Sequence, residues 1–387
     1  MLRKTLLIAA FLCGGLATLF AIWIVVPALS FSLFMVAVGA SEWSLWFGAA
    51  GAAGAGLSLL ARATGSGRAA WVALSLGVMA CGLSSIPPLS AWRVARENRI
   101  ELSLRQYLFG VPDDQAARVV RTTETFATAG GQTLKLDTYI SQSTETTLRP
   151  AVIVVHGGSW SAGERSDYPL WNDWLARRGY AVFDVDYRLA PQPNWQAATG
   201  DVKCAVGWVK ANAARFAVDP ARVALLGRSA GGHLALLAAY STNSSALPPG
   251  CAAPEASVRA VVSLYAPTDL TWGYEHPANE RVLDGPGKIR NFVGGTPADA
   301  SEAIRLASAT THVTSRSPPT LLFHGGRDQL VADRHMMLLA ERLSQQNVPH
   351  RALLIPYAQH AFDYNFDGWG SQLIRPLLLN FLREHLN

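Results

Sequence analysis

The chain has 387 residues, half of them hydrophobic and 16% charged, with a formal net charge of +5. That length exceeds one ordinary domain and suits a large domain with an appendage. The basic residues are dispersed except just after residue 92, which argues against a nucleic-acid partner. No Cys/His cluster has the spacing of a zinc site, so no metal or other cofactor is expected.

Charge is distributed unevenly. Between residues 5 and 92 only Glu42, Arg62 and Arg68 are charged. Residues 6–26 are long enough to cross a bilayer, for which about 20 residues suffice, and Pro27 breaks the run. Residues 28–61 hold Glu42 and a small-residue stretch from Gly48 to Gly56, of the kind that lets membrane helices approach closely. A third apolar stretch, 69–91, ends near Pro87-Pro88. Arg3-Lys4 before an apolar core would also suit a cleaved signal peptide, but two further apolar stretches would still anchor the chain.

Residues 1–92 are therefore expected to be a membrane segment with three crossings. Arg3, Lys4, Arg62 and Arg68 orient its N-terminus and second loop towards the cytoplasm. The rest of the chain would then lie on the periplasmic or outer side of an inner or plasma membrane. Arg93, Arg96, Arg99 and Arg105 count against this, and a separate crossing by 28–40 would make four spans and reverse the side. Those arginines also suit anionic headgroups, making membrane lipid an expected partner.

Residues 93–111 read as an amphipathic linker helix, with Ile100, Leu102, Leu104, Tyr107 and Leu108 interleaved among charges, ended by Val111-Pro112-Asp113-Asp114. The expected catalytic domain occupies 112–387. Strands are predicted at 133–140, 151–155, 181–186, 223–226, 260–264, 320–323 and 352–355, several of them continuous β-branched runs that suit burial on both faces. Helical patterns at 201–216, 232–240, 334–346 and 371–385 alternate with them. This is an α/β pattern with a mostly parallel central sheet and helices on both faces, its first strand antiparallel at one edge. Residues 271–317 lack a strand pattern and carry Trp272, Tyr274, His276 and Phe292, as expected of an insertion shaping a pocket. Cys204 and Cys251 could form one disulfide or be two unrelated buried thiols.

Gly227-Arg228-Ser229-Ala230-Gly231 lies between a strand and a helix, the setting that forces a serine into a tight, exposed turn. His156-Gly157-Gly158-Ser159-Trp160 follows another strand. Backbone amides of Gly158, Ser159 and Ala230 could serve an oxyanion. His156, with Gly157, is read as shaping that turn, and Gly227 and Gly231 as letting backbone pass the serine. An acid and a base should follow in the order Asp, His. Asp328 ends one strand and His360 the next; Asp333 competes with Asp328 but looks like a helix N-cap. His233 follows the elbow, His324 should be buried beside the Asp328 loop, and His335 and His350 look like surface residues.

These segments, with Asp186-Tyr187-Arg188-Leu189-Ala190-Pro191, Val218-Asp219-Pro220-Ala221-Arg222-Val223, Gly232-His233, Pro319-Thr320-Leu321-Leu322 and Ala361-Phe362, carry a resemblance. Residues 133–385 resemble hormone-sensitive-lipase-like and feruloyl-esterase-like carboxylesterases of the α/β-hydrolase superfamily. The resemblance implies a triad of Ser229, Asp328 and His360 acting on a small-molecule ester. There are departures. Ser159 stands where lipase-like members often have a third glycine, closer to the His-Gly-Gly-x-Trp of kynurenine formamidases. Arg228 and Gln192 replace a frequent aspartate and glutamate, and the membrane segment is outside the usual pattern. The expected function is a membrane-anchored serine carboxylesterase cleaving a small or lipophilic ester, with a formamidase-type amide hydrolase as the alternative. A peptidase lacks a gating segment, and a silent binding module would be expected to lose a triad member. Oligomeric state is not legible.

Overall fold

The computed structural model describes residues 2–110, 118–142, 147–190, 193–252 and 255–386. The end of the expected linker at Val111-Pro112-Asp113-Asp114, and Pro191 and Gln192, lie outside them.

The chain opens with four helices, α1 (Leu2–Ala21), α2 (Phe31–Glu42), α3 (Ser44–Ala63) and α4 (Gly67–Asn98). α1 runs on through a short 3-10 turn, and this unit, α3 and α4 are long and apolar enough to cross a membrane. They pack through glycine. A Cβ on Gly54 would lie 2.5 Å from the Gly14 nitrogen, and one on Gly77 would lie 2.6 Å from the Gly51 carbonyl. Such contacts bring backbones together where no hydrophobic drive separates lipid from helix. Arg3 lies beside Gly65, so the N-terminus and the α3–α4 turn share one end of the bundle.

The predicted linker helix is corrected by the structure. Arg93–Asn98 belong to α4, which closes where the Ile100 amide donates back to the Ala95 carbonyl and Arg99 turns left-handed at φ 56°. A separate short helix, α5 (Leu104–Phe109), starts at Ser103, whose hydroxyl accepts from the Gln106 amide. Burial explains the break, because Ile100, Leu102 and Tyr107 all pack against the core of the following domain.

That domain runs β1 (Val119–Ala129), β2 (Gln132–Ser141), β3 (Arg149–Val155), α6 (Pro169–Ala176), β4 (Ala181–Val185), α7 (Trp195–Ala211), β5 (Val218–Arg228), α8 (Ala230–Tyr240) and β6 (Ala260–Leu264). It continues through α9 (Leu270–Glu275), α10 (Gly285–Val293), α11 (Ser301–Ala307), β7 (Thr320–Gly325), α12 (Arg334–Gln345), β8 (His350–Ile355) and α13 (Trp369–Leu386). The strands form one sheet in the order β1-β2-β4-β3-β5-β6-β7-β8. β1, β2 and β4 pair antiparallel and the remainder parallel.

β1 is missing from the sequence reading, and it displaces 133–140 from the edge it was given. Its pattern hides it. Thr and Glu line an exposed edge, only Phe126 is buried, and a register shift at that residue interrupts the alternation. As their β-branched runs require, the central strands are buried along their length except at Arg149 and Pro150, where β3 begins. One apolar cluster covers each sheet face: α7, α8 and α12 on one, α6 and α13 with the end of α4 on the other. The 271–317 stretch holds α9, α10 and α11 and no strand. Cys204 on α7 is disulfide-bonded to Cys251.

Candidate active site

The strand order positions the chemistry. β3 lies between β4 and β5, so chain direction across the sheet reverses there and the loops leaving β3 and β5 open a crevice. Val155 is in register with Gly227, which sets the His156–Trp160 loop against the turn that holds Ser229.

Ser229 sits at φ 53°, ψ −123°, a backbone state that side-chain-bearing residues adopt only under constraint. The constraint is close packing. A Cβ on Gly231 would lie 2.1 Å from the His156 carbonyl, and one on Gly227 would lie 2.2 Å from the Gly231 carbonyl. Neither glycine can be replaced without moving backbone. The oxyanion-loop candidates are also strained, with Gly158, Ser159 and Trp160 all at positive φ. Ser159 and Ala230 line the same cleft as Ser229, while the Gly158 carbonyl accepts from Ser161 and Ala162 and closes the turn behind them.

His360 Nε2 lies 2.9 Å from Ser229 Oγ, and His360 Nδ1 lies 2.6 Å from Asp328 Oδ2. The other Asp328 oxygen accepts from the Leu330 and Val331 amides at 2.8 and 2.9 Å. Burial pushes the Asp328 carboxyl up, but His360 and His324 beside it outweigh burial and hold it well below the usual carboxylate range. Asp328 is thus an anion fixed by three hydrogen bonds, with the His324 ring 3.3 Å away. With Nδ1 donating to that anion, Nε2 is the free lone pair facing the serine hydroxyl. Asp333 stands at the N-cap position of α12, as expected, but its side chain caps no amide.

The remaining histidines divide clearly. His156 stacks on Tyr187, whose hydroxyl reaches the His156 and Gly157 carbonyls; burial pushes its pKa down, so it shapes the loop as a neutral ring. His324 is buried 3.3 Å from Asp328. His335 is corrected: it is buried, not a surface residue. It lies on the inner face of amphipathic α12 with Met336 and Leu339, and its Nδ1 accepts from the Thr268 and Asp269 amides. His350 is half-buried at the start of β8.

Two supports were not foreseen. Trp160 Nε1 donates to His233 Nδ1 at 3.1 Å, and His233 Nε2 donates to the Ala307 carbonyl at 2.7 Å, so one ring ties oxyanion loop, elbow helix and insertion together. Behind the serine, buried Arg228 donates to Asp363 at 2.6 Å and lies over the Tyr168 ring. Tyr265 donates to the same carboxylate and packs 4.4 Å from His360. The partner of Arg228 lies 135 residues away in the chain, so no local signal marks the pair. The cleft in front of Ser229 is walled by Trp160, Pro277, Leu283, Ile289 and Leu330, with Lys288 and His276 as polar members.

A serine on a strand–turn–helix elbow, followed in the chain by an aspartate and a histidine after later strands of a mostly parallel sheet, is the arrangement of the α/β-hydrolase class. Solved esterases share the fold: esterase 2 of Thermogutta terrifontis, phosphonylated by sarin, superposes with a TM-score of 0.58 at 23% identity, over 70% of this chain and 96% of that one. The family model BD-FAE matches residues 136–343, more than half of the chain, and the chain belongs to that family. Among its relatives, esterase LipC of Mycobacterium tuberculosis is 34% identical over 237 residues, covering 59% of this chain and 57% of its own length. Esterase LipQ of the same organism is 31% identical over 55% of this chain and 50% of its own. The chain spans about half the length of the curated relatives it matches.

Proposed function

We propose that this protein is a membrane-anchored serine carboxylesterase acting on a small or lipophilic ester. The carrying observation is the hydrogen-bonded series Ser229–His360–Asp328 at the floor of an apolar cleft; the ester-cleaving relatives support it. His360 Nε2 takes the Ser229 proton as Oγ bonds to the ester carbonyl carbon, and the carbonyl oxygen turns towards the amides of the oxyanion loop and Ala230. His360 then returns the proton to the departing alcohol, leaving an acyl-serine. Water, deprotonated by the same ring, releases the acid and restores the hydroxyl. Asp328 holds the ring in its reactive tautomer and stabilises its cationic form.

The anchor is residues 1–92 and the catalytic domain 112–387. Three apolar helices, Arg3 with the α3–α4 turn at one end and the hydrolase at the other support three crossings with the hydrolase on the periplasmic or outer face. The Cys204–Cys251 disulfide supports an oxidising compartment.

The test is turnover of p-nitrophenyl acetate and butyrate by the full chain and by Ser229→Ala. Loss in the variant is expected, and equal turnover overturns the reading. The His156-Gly157-Gly158-Ser159-Trp160 loop favours an amide hydrolase as second reading. Turnover of N-formylkynurenine well above that of the esters would establish it instead.

A further inference from the structure

The membrane segment reaches the active site itself. Where α1 ends, the chain turns through Val25–Ser30, and this turn is bonded to both neighbours of Asp328. The Arg327 guanidinium donates to the Val25 carbonyl, and the Ala28 amide donates to Gln329 Oε1 at 2.6 Å. Asn279, from the insertion, closes the group by donating to the Ala28 carbonyl at 2.9 Å and to Gln329 Oε1 at 3.1 Å. Gln329 in turn donates to Gln359, the residue before His360. The loops carrying acid and base are therefore held by the mouth of the bundle.

α2 continues the contact. Its Phe34 and Val38 pack with Ala28 against Val282 and Leu330. Leu330 also lines the cleft in front of Ser229, and Val282 adjoins Leu283, another of its walls. One face of α2 thus backs the pocket wall. Beside it the first turn of the helix is bare: Phe31 and Met35, with Leu29 just before the helix, are each more than half exposed.

The depth of α2 follows from the helices beside it. α4 has 32 residues, about 48 Å at 1.5 Å per residue, against a hydrocarbon core of about 30 Å. Its last turns, from Ala91 to Ala95, are packed into the hydrolase core. Exposed Trp92, with Trp43 and Trp46 at the start of α3, marks the level where indole rings favour the bilayer interface. α2 joins the end of α1 to the start of α3 at that level. In a bilayer its bare apolar turn would meet acyl chains, while its packed face lies against the pocket wall.

We infer that the substrates of this site are long-chain esters resident in the bilayer, which reach Ser229 past the α1–α2 turn and α2 without first entering bulk water. This rests on the esterase reading above and adds the substrate class and the route. A second, more polar cleft lies beside the α1–α2 turn, bordered by Pro27 and Leu29 on one side and by Arg281, Arg327, Asp328 and Gln329 on the other, and it shares Ala278 with the first. The apolar side of the passage is the wall that Leu283 and Leu330 present to the first cleft, backed by α2, whereas extraction of an acyl chain into water costs about 0.8 kcal/mol for each CH₂ exposed.

The experiment uses the full chain in phosphatidylcholine vesicles with two esters of one leaving group, 4-methylumbelliferyl oleate and acetate. Oleate placed in the enzyme's own vesicles should be cleaved at least tenfold faster than the same amount supplied in separate vesicles. Acetate should show no such difference. Phe31→Ser/Met35→Ser, which removes the bare apolar turn, should lower the oleate-to-acetate ratio of kcat/KM about tenfold. Equal oleate rates from shared and separate vesicles overturn the route, and the wild-type chain alone decides that arm. An unchanged ratio in the variant overturns the part given to α2. Cleavage of neither ester by wild type overturns the esterase reading, and is told apart from failure of the route by the silent acetate arm.

Discussion

The helical bundle and the hydrolase use glycine for the same act with opposite consequences. In the bundle, Gly14, Gly51, Gly54 and Gly77 let backbones of different helices touch. In the hydrolase, Gly157 and Gly231 let the loop after β3 touch the turn after β5, and Gly227 lets that turn close on itself. Bundle contacts are repeated along helices in relaxed geometry, so each carries a share of packing. Elbow contacts surround a strained Ser229 and an anion–imidazole pair, so each holds reacting atoms within tenths of an ångström. Close approach is thus distributed in one region and concentrated in the other, and substitutions should divide along that line.

The largest effect is expected at the concentrated end. Asp328→Asn removes the anion that fixes the His360 tautomer, and kcat for p-nitrophenyl butyrate should fall about 10³- to 10⁴-fold. The melting transition should move little by comparison, because the Leu330 and Val331 amides keep an acceptor. A loss below tenfold would return the acid role to another carboxylate.

Next comes the pair behind the elbow. Arg228→Gln leaves the Asp363 carboxylate buried against Tyr265 without its cation, a change of about 3–5 kcal/mol for a pair of this burial. Denaturant unfolding of the hydrolase should report it, with activity lost alongside since Tyr265 touches His360. If stability falls and activity does not, the network holds the fold alone.

A smaller effect follows from pH. Burial pushes the His233 pKa down to about 4, against an ordinary value of 6.5. Between these values the unfolded chain binds a proton that the folded chain refuses. Stability is therefore complete above pH 6.5, falls as pH drops towards 4, and loses about 3 kcal/mol over that window from this residue. His335, pushed by burial to about 3, adds a fall of the same sign. Calorimetry of His233→Gln across pH 4–7 should show a shallower decline than wild type; an identical slope would remove His233 as its source.

The same division decides what the sequence discloses. Ser229, Asp328 and His360 were legible because each ends a strand, and strand ends are written locally in apolar runs. β1 was not, since an edge strand with one buried residue carries no run. His335 was misread because a polar residue on the buried face of α12 looks like surface until its amide donors, 66 and 67 residues away, are known. The bond from Ala28 to Gln329 spans 301 residues, and nothing in either neighbourhood announces it. Local chemistry shows in a sequence; contact between domains does not.

The smallest effect belongs to the bundle and tests the opening contrast most directly. Gly54→Ala puts a Cβ 2.5 Å from the Gly14 nitrogen and 2.8 Å from its Cα, a collision of the same order as those at the elbow. Both partners lie on helices able to shift along their length, so the clash should be relieved by separating α1 from α3, at about 1–3 kcal/mol. Helix movement there leaves the elbow where it is and reaches the Asp328 loop only through the Arg327 and Gln329 hydrogen bonds to the α1–α2 turn, so hydrolysis of p-nitrophenyl acetate should fall by no more than about tenfold. Gly231→Ala, with a comparable collision against the His156 carbonyl, has no sliding element to absorb it: β3 and β5 are buried and paired on both sides. Its acetate activity should fall at least about a hundredfold, by displacement of the oxyanion donors. Equal losses in the two variants would mean that the bundle grips the active site as tightly as the sheet does, and the contrast between distributed and concentrated packing would fail.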